Sequence, residues 1–368
     1  MIKSPGKTVA VGMSGGLDST MAAYLLKEQG FTVIGLTMKI WDGSIQCNAT
    51  RSACYGPNES EDISQAIKAA AQLGIKHYVV DLADEYNETV LEYFRSEYGR
   101  GYTPNPCIVC NSKIKFGALL DRAVKSGIVF DLFATGHYAR ITYDQCKGRY
   151  ILKCGVDEKK DQSYFLYRLT PERMEKLILP LGEYRKGDVR ELARRTGFEE
   201  YAGKNESQDF FEAENYSTLL NTGNGPGKVL DMHGNSIGTH RGIGYYTVGQ
   251  RRSLNLSGMR EPFYVISIDA ARNEIIAGPR KYLQGSSLIA GNLHWIVPPG
   301  ELASEPLKAK IRSAAVPADC TISLYDKDKL RVQFACPQEA ITPGQSAVIY
   351  TRDLVAGGGV IEQHFFEQ

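Results

Sequence analysis

Residues 8–30 constrain the fold more than any other stretch. Thr8–Gly12 is a short, apolar, partly β-branched run that reads as a buried strand. Ser14, Gly15 and Gly16 then read as a tight turn. Asp18, Ser19 and Thr20 open a helix in which Met21, Ala22, Leu25 and Leu26 recur at helical spacing, and Gly30 lies just past its end. A glycine pair between strand and helix lets backbone N–H groups converge on an anion, and the helix N-terminus adds partial positive charge. The stretch reads as a phosphate cradle.

The alternation continues. Residues 31–38 read as a second apolar strand and 39–60 as a loop carrying Cys47 and Cys54. Residues 61–73 read as a helix closed by Gly74, and 76–81 as a third strand. Strands alternating with helices predict a parallel α/β sheet, in which ligands bind beyond the carboxyl ends of the strands. Ser14–Ser19 occupies such an end. Residues 131–135 form a further predicted strand, running into Gly136-His137-Tyr138. Between them, Pro104 and Pro106 hold 103–106 extended, since each also disfavours helix in the residue before it. Cys107 and Cys110 are therefore expected on a loop ahead of a helix from about Asn111 to Ser126. A helix N-terminus with Lys113 and Lys115 nearby predicts a lowered thiol pKa there.

Residues 141–156 read as a hairpin, and helical stretches follow Lys160-Asp161-Gln162 as far as about Thr196. From Gly223 the helical pattern vanishes and β-branched residues alternate with polar ones. The expected organisation is a catalytic domain over 1–207, a small β domain over 208–285 and a barrel-like β domain over 286–368. The chain's 368 residues suit two or three domains.

A net charge of +1 gives no global attraction to nucleic acid, so any RNA contact must come from local basic patches. Arg185, Lys186, Arg190, Arg194 and Arg195 form one basic helix that is either a solvated face or such a patch. No apolar run approaches the ~20 residues of a membrane-spanning helix and no signal peptide is evident, so a cytoplasmic location is expected. Eight cysteines in such a chain do not suggest a disulfide framework.

The cradle lacks the Gly-Lys-Ser/Thr of a Walker loop and the Gly-x-Gly-x-x-Gly of a dinucleotide fold. Its Ser14-Gly-Gly-Leu-Asp-Ser19 resembles the PP-loop of ATP pyrophosphatases, which split ATP between the α and β phosphates and activate a substrate as an adenylate. Further motifs extend the resemblance across nearly the whole chain. They are Thr103-Pro-Asn-Pro106 with Cys110-Asn111 and Ile114-Lys-Phe116, then Ala134-Thr-Gly-His-Tyr-Ala-Arg140, then Lys160-Asp-Gln-Ser-Tyr-Phe-Leu166. They continue with Glu206-Ser-Gln-Asp209, Tyr246-Thr-Val-Gly-Gln-Arg-Arg252, Thr342-Pro-Gly-Gln345 and Gly357-Gly-Gly-Val360. In this order they resemble the bacterial tRNA-specific 2-thiouridylases.

That resemblance implies an adenine-nucleotide α-hydrolase-like parallel sheet domain followed by two β domains. It also implies ATP-dependent replacement of O2 by sulfur on the wobble uridine of tRNA, with Mg²⁺ and a sulfur donor such as a cysteine desulfurase or relay protein. By position, Gly12, Met13, Ser14, Gly15, Gly16, Leu17, Asp18, Ser19, Met38 and Gly136 would contact ATP. Asp18 would take part in adenylation and Cys110 would complete the displacement on the base. Asn105, Pro106 and Cys107 would flank the target base. His137, Lys160, Asp161, Gln162, Arg312, Ser313 and Gln345 would fall at tRNA-contacting positions. Asp161 equally suits a helix cap.

One departure bears on the chemistry. Where the family's Ser-Gln-Asp motif is followed by a persulfide-carrying cysteine, this chain has Phe211, and Cys107 stands where well-known members have aspartate. A phenyl ring can hold no sulfane sulfur. Three arrangements answer to this: Cys107 and Cys110 exchange sulfur between them; Cys107, Cys110 and Cys54 hold a [4Fe–4S] cluster; or the chain is a non-catalytic tRNA-binding or sulfur-relay paralogue. The intact Ser14–Ser19 loop argues against the last, since a binding protein gains little from an ATP site.

Overall fold

The computed structural model describes residues 6–366 apart from 46, 51, 204–208, 214–215, 221–224, 255 and 257. The chain divides into two compact units, Met1–Val90 with Cys107–Glu214 and Asp353–Val355, and Leu91–Pro106 with Asn215–Arg352 and Ala356–Gln368.

The first unit contains β1 (Thr8–Gly12), β2 (Thr32–Lys39), β3 (Ala53–Tyr55), β4 (Lys76–Asp81), β5 (Leu132–Ala134), β6 (Ala139–Asp144), β7 (Arg149–Cys154), β8 (Leu177–Ile178) and β9 (Asp209–Phe211). Five of them form a wholly parallel sheet in the order β4-β2-β1-β5-β8. Val9, Ala10 and Val11 of β1 are completely buried, as expected of a strand covered on both faces. Helices α1 (Leu17–Glu28) and α2 (Glu59–Leu73) contribute Met21, Ala22, Leu26, Ala66, Ala69 and Ala70 to the same core. The alanine face of α2 permits close approach, and Gly74 ends the helix at φ +66°. Each fully buried Val or Leu here stabilises the fold by roughly 1.5–3 kcal/mol relative to exposure.

Two local expectations are corrected. The predicted loop over 39–60 contains β3, which pairs in parallel with β9, Ala53 opposite Asp209 and Tyr55 opposite Phe211. Three residues are too few for a periodic signal, and their partner strand is remote in sequence. The helix expected from Asn111 begins at Pro106: Pro106–Val109 is α-helical, Cys110–Ala118 widens into π-type turns, and Leu119–Lys125 returns to α-helix. Proline restrains the residue before it, yet suits a helix's first position, where its missing N–H would be unpaired anyway. Cys107 and Cys110 therefore lie inside a helical run and not on a loop.

The second unit is mostly β. Strands β10 (Gly227–Leu230), β11 (Ser236–His240), β12 (Phe263–Asp269) and β13 (Glu274–Pro279) form one sheet in the order β11-β10-β13-β12. It closes over Val229, Ile243, Tyr246, Val265 and Ile275. A six-stranded barrel follows from β14 (Gln284–Trp295), β15 (Leu307–Lys310), β16 (Ala318–Asp326), β17 (Lys329–Glu339), β18 (Ser346–Thr351) and β19 (Leu354–Phe366). The order β14-β17-β16-β15-β18-β19 returns to β14, so no edge strand is left unpaired.

Candidate active site

The phosphate cradle forms at the carboxyl end of β1. Gly15 adopts φ +73°, and a Cβ there would stand 2.4 Å from the Asp62 carbonyl oxygen, so only glycine fits. The loop is fastened by side chains: the Ser14 amide donates to Ser19 Oγ at 3.1 Å, and Thr20 Oγ1 donates to the Gly16 carbonyl at 2.9 Å. Gly16 enters α1 in an extended conformation with no side-chain cap. Gly136 closes the other wall, since a Cβ there would lie 2.7 Å from the Asp18 carbonyl carbon.

Asp18 sits in the first turn of α1 and collects two donors. Tyr138 Oη donates to Oδ1 at 2.8 Å, and Lys186 Nζ lies 2.8 Å from both carboxylate oxygens. Lys186 is only 4% exposed, its backbone N–H held by Asp157 at 2.9 Å. The helix Lys186–Arg195 carries Lys186 and Arg190 one turn apart, so both reach the same cavity. That cavity measures about 650 Å³. It gathers Gly12 to Ser19, Met38, Gly136, His137 and Gln162 with Cys54, Lys115, Lys186, Arg190, Glu61, Asp62 and Glu212.

In sequence, Lys186 and Arg190 belong to a basic helix that suits either a solvated face or an RNA-binding patch, and no motif marks Lys115, Glu61, Asp62 or Glu212 as cavity residues. The signal for Glu212 was an acid directly after two phenylalanines. It is buried, takes the Asn58 amide at 3.0 Å, and burial raises its carboxyl pKa, with Asp62 and Glu61 adding to the rise against the Asn58 hydrogen bond. His137 Nδ1 meets Thr135 Oγ1 at 2.7 Å, while burial and then Lys115 hold the ring well below the ordinary histidine pKa. At neutral pH it is an uncharged hydrogen-bonding group. Gln162 accepts from the Tyr138 amide at 2.9 Å. Asp161 is engaged as a cap, taking the Gly155 amide at 3.0 Å, the Ser163 amide at 3.1 Å and Ser163 Oγ at 2.8 Å.

The cysteines depart from expectation. Cys107 and Cys110 are half-buried within the helical run, and burial pushes the Cys110 thiol up to about 11 against the opposing pull of Lys115. Cys107 is raised further, by burial first and then by Cys54 and Cys110. The lowered pKa predicted from the helix start is thus corrected: desolvation outweighs one lysine. Cys54, on β3, is exposed and lines the cavity. The three thiols and the Tyr86 hydroxyl are close enough to act electrostatically on one another. Among the described residues, however, no three His, Cys, Asp or Glu side chains converge closely enough to hold a metal ion. As they stand, Cys54, Cys107 and Cys110 do not fit a [4Fe–4S] cluster.

The remaining expected residues lie apart from the cavity lining. Pro106 is buried at the helix start, directly after Asn105, and Lys160 sits in a turn with its amide on the Asp157 carbonyl at 2.9 Å. In the second unit, Gln345 Nε2 donates to the Thr103 and Pro104 carbonyls at 2.9 and 3.2 Å, anchoring that proline segment. Arg312 is exposed and Ser313 half-buried in the turn after β15. Glu206, Ser207 and Gln208 lie outside the described residues. Phe211 is fully buried on β9, its ring 6.2 Å from that of Tyr55.

Models of three domain families match in chain order: a tRNA methyl transferase HUP domain over residues 7–211, a tRNA methyl transferase PRC-barrel domain over 219–279 and an aminomethyltransferase beta-barrel domain over 285–361. A tRNA-specific 2-thiouridylase MnmA 2 of Thermoanaerobacter sp. is 44% identical over 362 residues, covering 96% of this chain and 98% of the relative. A tRNA-specific 2-thiouridylase MnmA of Endomicrobium trichonymphae is 44% identical over 358 residues, again 96% and 98%. A tRNA-specific 2-thiouridylase MnmA 1 of Caldanaerobacter subterraneus is 45% identical over 364 residues, with the same coverage. The chain belongs to the tRNA-specific 2-thiouridylase family. For a 2-thiouridylase, an anion cradle beside a thiol cluster is the expected pairing of nucleotide and sulfur chemistry.

Proposed function

We propose that the protein replaces O2 of a tRNA wobble uridine by sulfur, converting ATP to AMP and pyrophosphate. The observation that carries this reading is the single cavity holding both the Ser14–Ser19 cradle and Cys54, with Lys186, Arg190 and Lys115 around it. A uracil carbonyl oxygen is a poor leaving group, so O2 attacks the α-phosphorus and pyrophosphate departs. Backbone N–H groups at the α1 N-terminus, with Lys186 and Arg190, stabilise the negative charge that develops on pyrophosphate. Magnesium entering with ATP would supply further charge neutralisation on the phosphates, and Asp18 is a cavity carboxylate that would help hold it.

A sulfur nucleophile then attacks C2, and AMP leaves with O2. Cys110 completes the displacement, with Cys107 beside it. His137 and Gln162 stand at the cavity as neutral groups for the base or ribose. Reaching the cavity requires the uridine to leave its stack, which a flexible anticodon loop allows at small cost. The sulfur comes from a cysteine desulfurase or a relay protein.

The test is mass spectrometry of wobble uridines after incubation of the protein with ATP, tRNA and sulfide, with AMP and pyrophosphate measured alongside. The expected result is 2-thiouridine formed together with tRNA-dependent AMP and pyrophosphate. A protein that binds tRNA yet releases neither product overturns the reading in favour of a binding role.

A further inference from the structure

The resemblance implies a thiol on β9 where this chain has Phe211, and the neighbouring strand of the same two-stranded sheet supplies one. Parallel pairing sets Tyr55 opposite Phe211 and Ala53 opposite Asp209. Side chains alternate along a strand, so Cys54 faces away from Ala53 and Tyr55. The burial pattern agrees: Ala53 and Tyr55 are buried and Cys54 is exposed. Tyr55 is held rigidly on that side, stacked on Tyr86 at 5.1 Å and edge-on to Trp41 at 4.7 Å, with Phe211 at 6.2 Å. Aromatic packing thus turns Cys54 toward the cavity that contains the phosphate cradle. Of the cluster's thiols it is the exposed one, while Cys107 and Cys110 are half-buried.

We infer that Cys54 is the sulfur-carrying residue of this protein, taking over on β3 the persulfide role that Phe211 excludes from β9. The inference rests on the thiolation reading and adds to it a catalytic residue. In loading, the Cys54 thiolate attacks the outer sulfur of a donor persulfide; the donor S–S bond breaks and its electron pair leaves on the donor's own sulfur. In transfer, the outer sulfur of Cys54–S–S⁻ bonds to C2 of the adenylated uracil, the C2–O2 bond breaks, and AMP departs with that electron pair. The Cys110 thiol gives up its proton to solvent and its sulfur then attacks Sγ of Cys54. The bond from Sγ to the base-bound sulfur breaks, and its electron pair stays on that sulfur, giving the thiocarbonyl. The sulfane sulfur is reduced by two electrons, Cys54 and Cys110 are oxidised to a disulfide, and a thiol reductant restores them.

The experiment has two arms. In the first, wild-type protein is loaded with glutathione persulfide, without ATP or tRNA, then alkylated and mapped by peptide mass spectrometry; the added sulfur is expected on the Cys54 peptide. The second arm is a single turnover with ATP and tRNA and no reductant, expected to yield a Cys54–Cys110 disulfide. In Cys54→Ala, thiouridine formed per AMP released should fall at least tenfold with glutathione persulfide as donor and recover with free sulfide, which attacks C2 without a carrier. Recovery by sulfide would not follow from a merely structural role. Label on Cys107 or Cys110 alone, or an undiminished thiouridine-to-AMP ratio in Cys54→Ala, overturns the inference. Failure of the thiolation reading looks different: wild-type protein then releases no AMP, whereas the loading arm reads Cys54 independently of both substrates.

Discussion

At the residue scale, the pairing of Asp18 with Lys186 has the clearest consequence. A lysine 4% exposed in an anion-binding cavity requires a counter-charge, and Asp18 provides it at 2.8 Å. Phosphates entering the cradle bring a competing negative charge. Lys186→Met should therefore lower tRNA-dependent pyrophosphate release by about 100-fold or more, measured by coupled phosphate assay. Phe211 defines a second residue-scale outcome. Its ring is completely buried between Tyr55 and Phe210, so Phe211→Cys leaves a cavity and should lower unfolding free energy by about 2–4 kcal/mol, read from the denaturation midpoint. A cysteine at that position is thus opposed by packing.

At the element scale, the helical run from Pro106 governs the thiols. It sets Cys107 and Cys110 in its opening turns, half-buried beside Lys115, and the Cys110 thiol stays largely protonated at neutral pH. Cys110→Ala should lower thiouridine formed per AMP released by at least about 100-fold, because the last displacement loses its nucleophile. Strands β4 and β5 place two histidines whose pKa burial depresses, His77 on β4 and His137 just beyond β5. Their folded forms bind fewer protons than the unfolded chain, so stability is retained above about pH 6.5 and lost as pH falls below it. Urea unfolding from about pH 7.5 to 5 should show that loss, and His137→Asn should flatten it. The parallel strands were legible because strands buried on both faces read as plain apolar runs. β3 was not, since three residues carry no period, and the helix start was misplaced because the two prolines argued for extension.

At the scale of the whole molecule, a net charge of +1 means that an RNA partner is held by patches and not by the overall field. Arg312, exposed in the barrel-containing unit, is one position at which the resemblance implies a tRNA contact. Arg312→Ala should weaken tRNA binding several-fold and reduce the slope of log affinity against log salt by about 1, measured by filter binding over a salt series. No helix among the described residues is long and apolar enough to cross a membrane.

The amino-acid sequence alone established the cradle, the parallel sheet, the change to β structure after Gly223 and the resemblance that led to ATP and tRNA. Each of these is written in contiguous residues, through turn chemistry, periodicity and motif order. Folding alone settled which groups meet: Lys186 lies 168 residues from Asp18 yet bonds it, and Cys54 comes into the neighbourhood of Cys110. It also reversed the expected shift of the Cys110 thiol. Burial and cross-chain proximity arise only when distant segments pack together, and the stronger of desolvation and local charge is decided there.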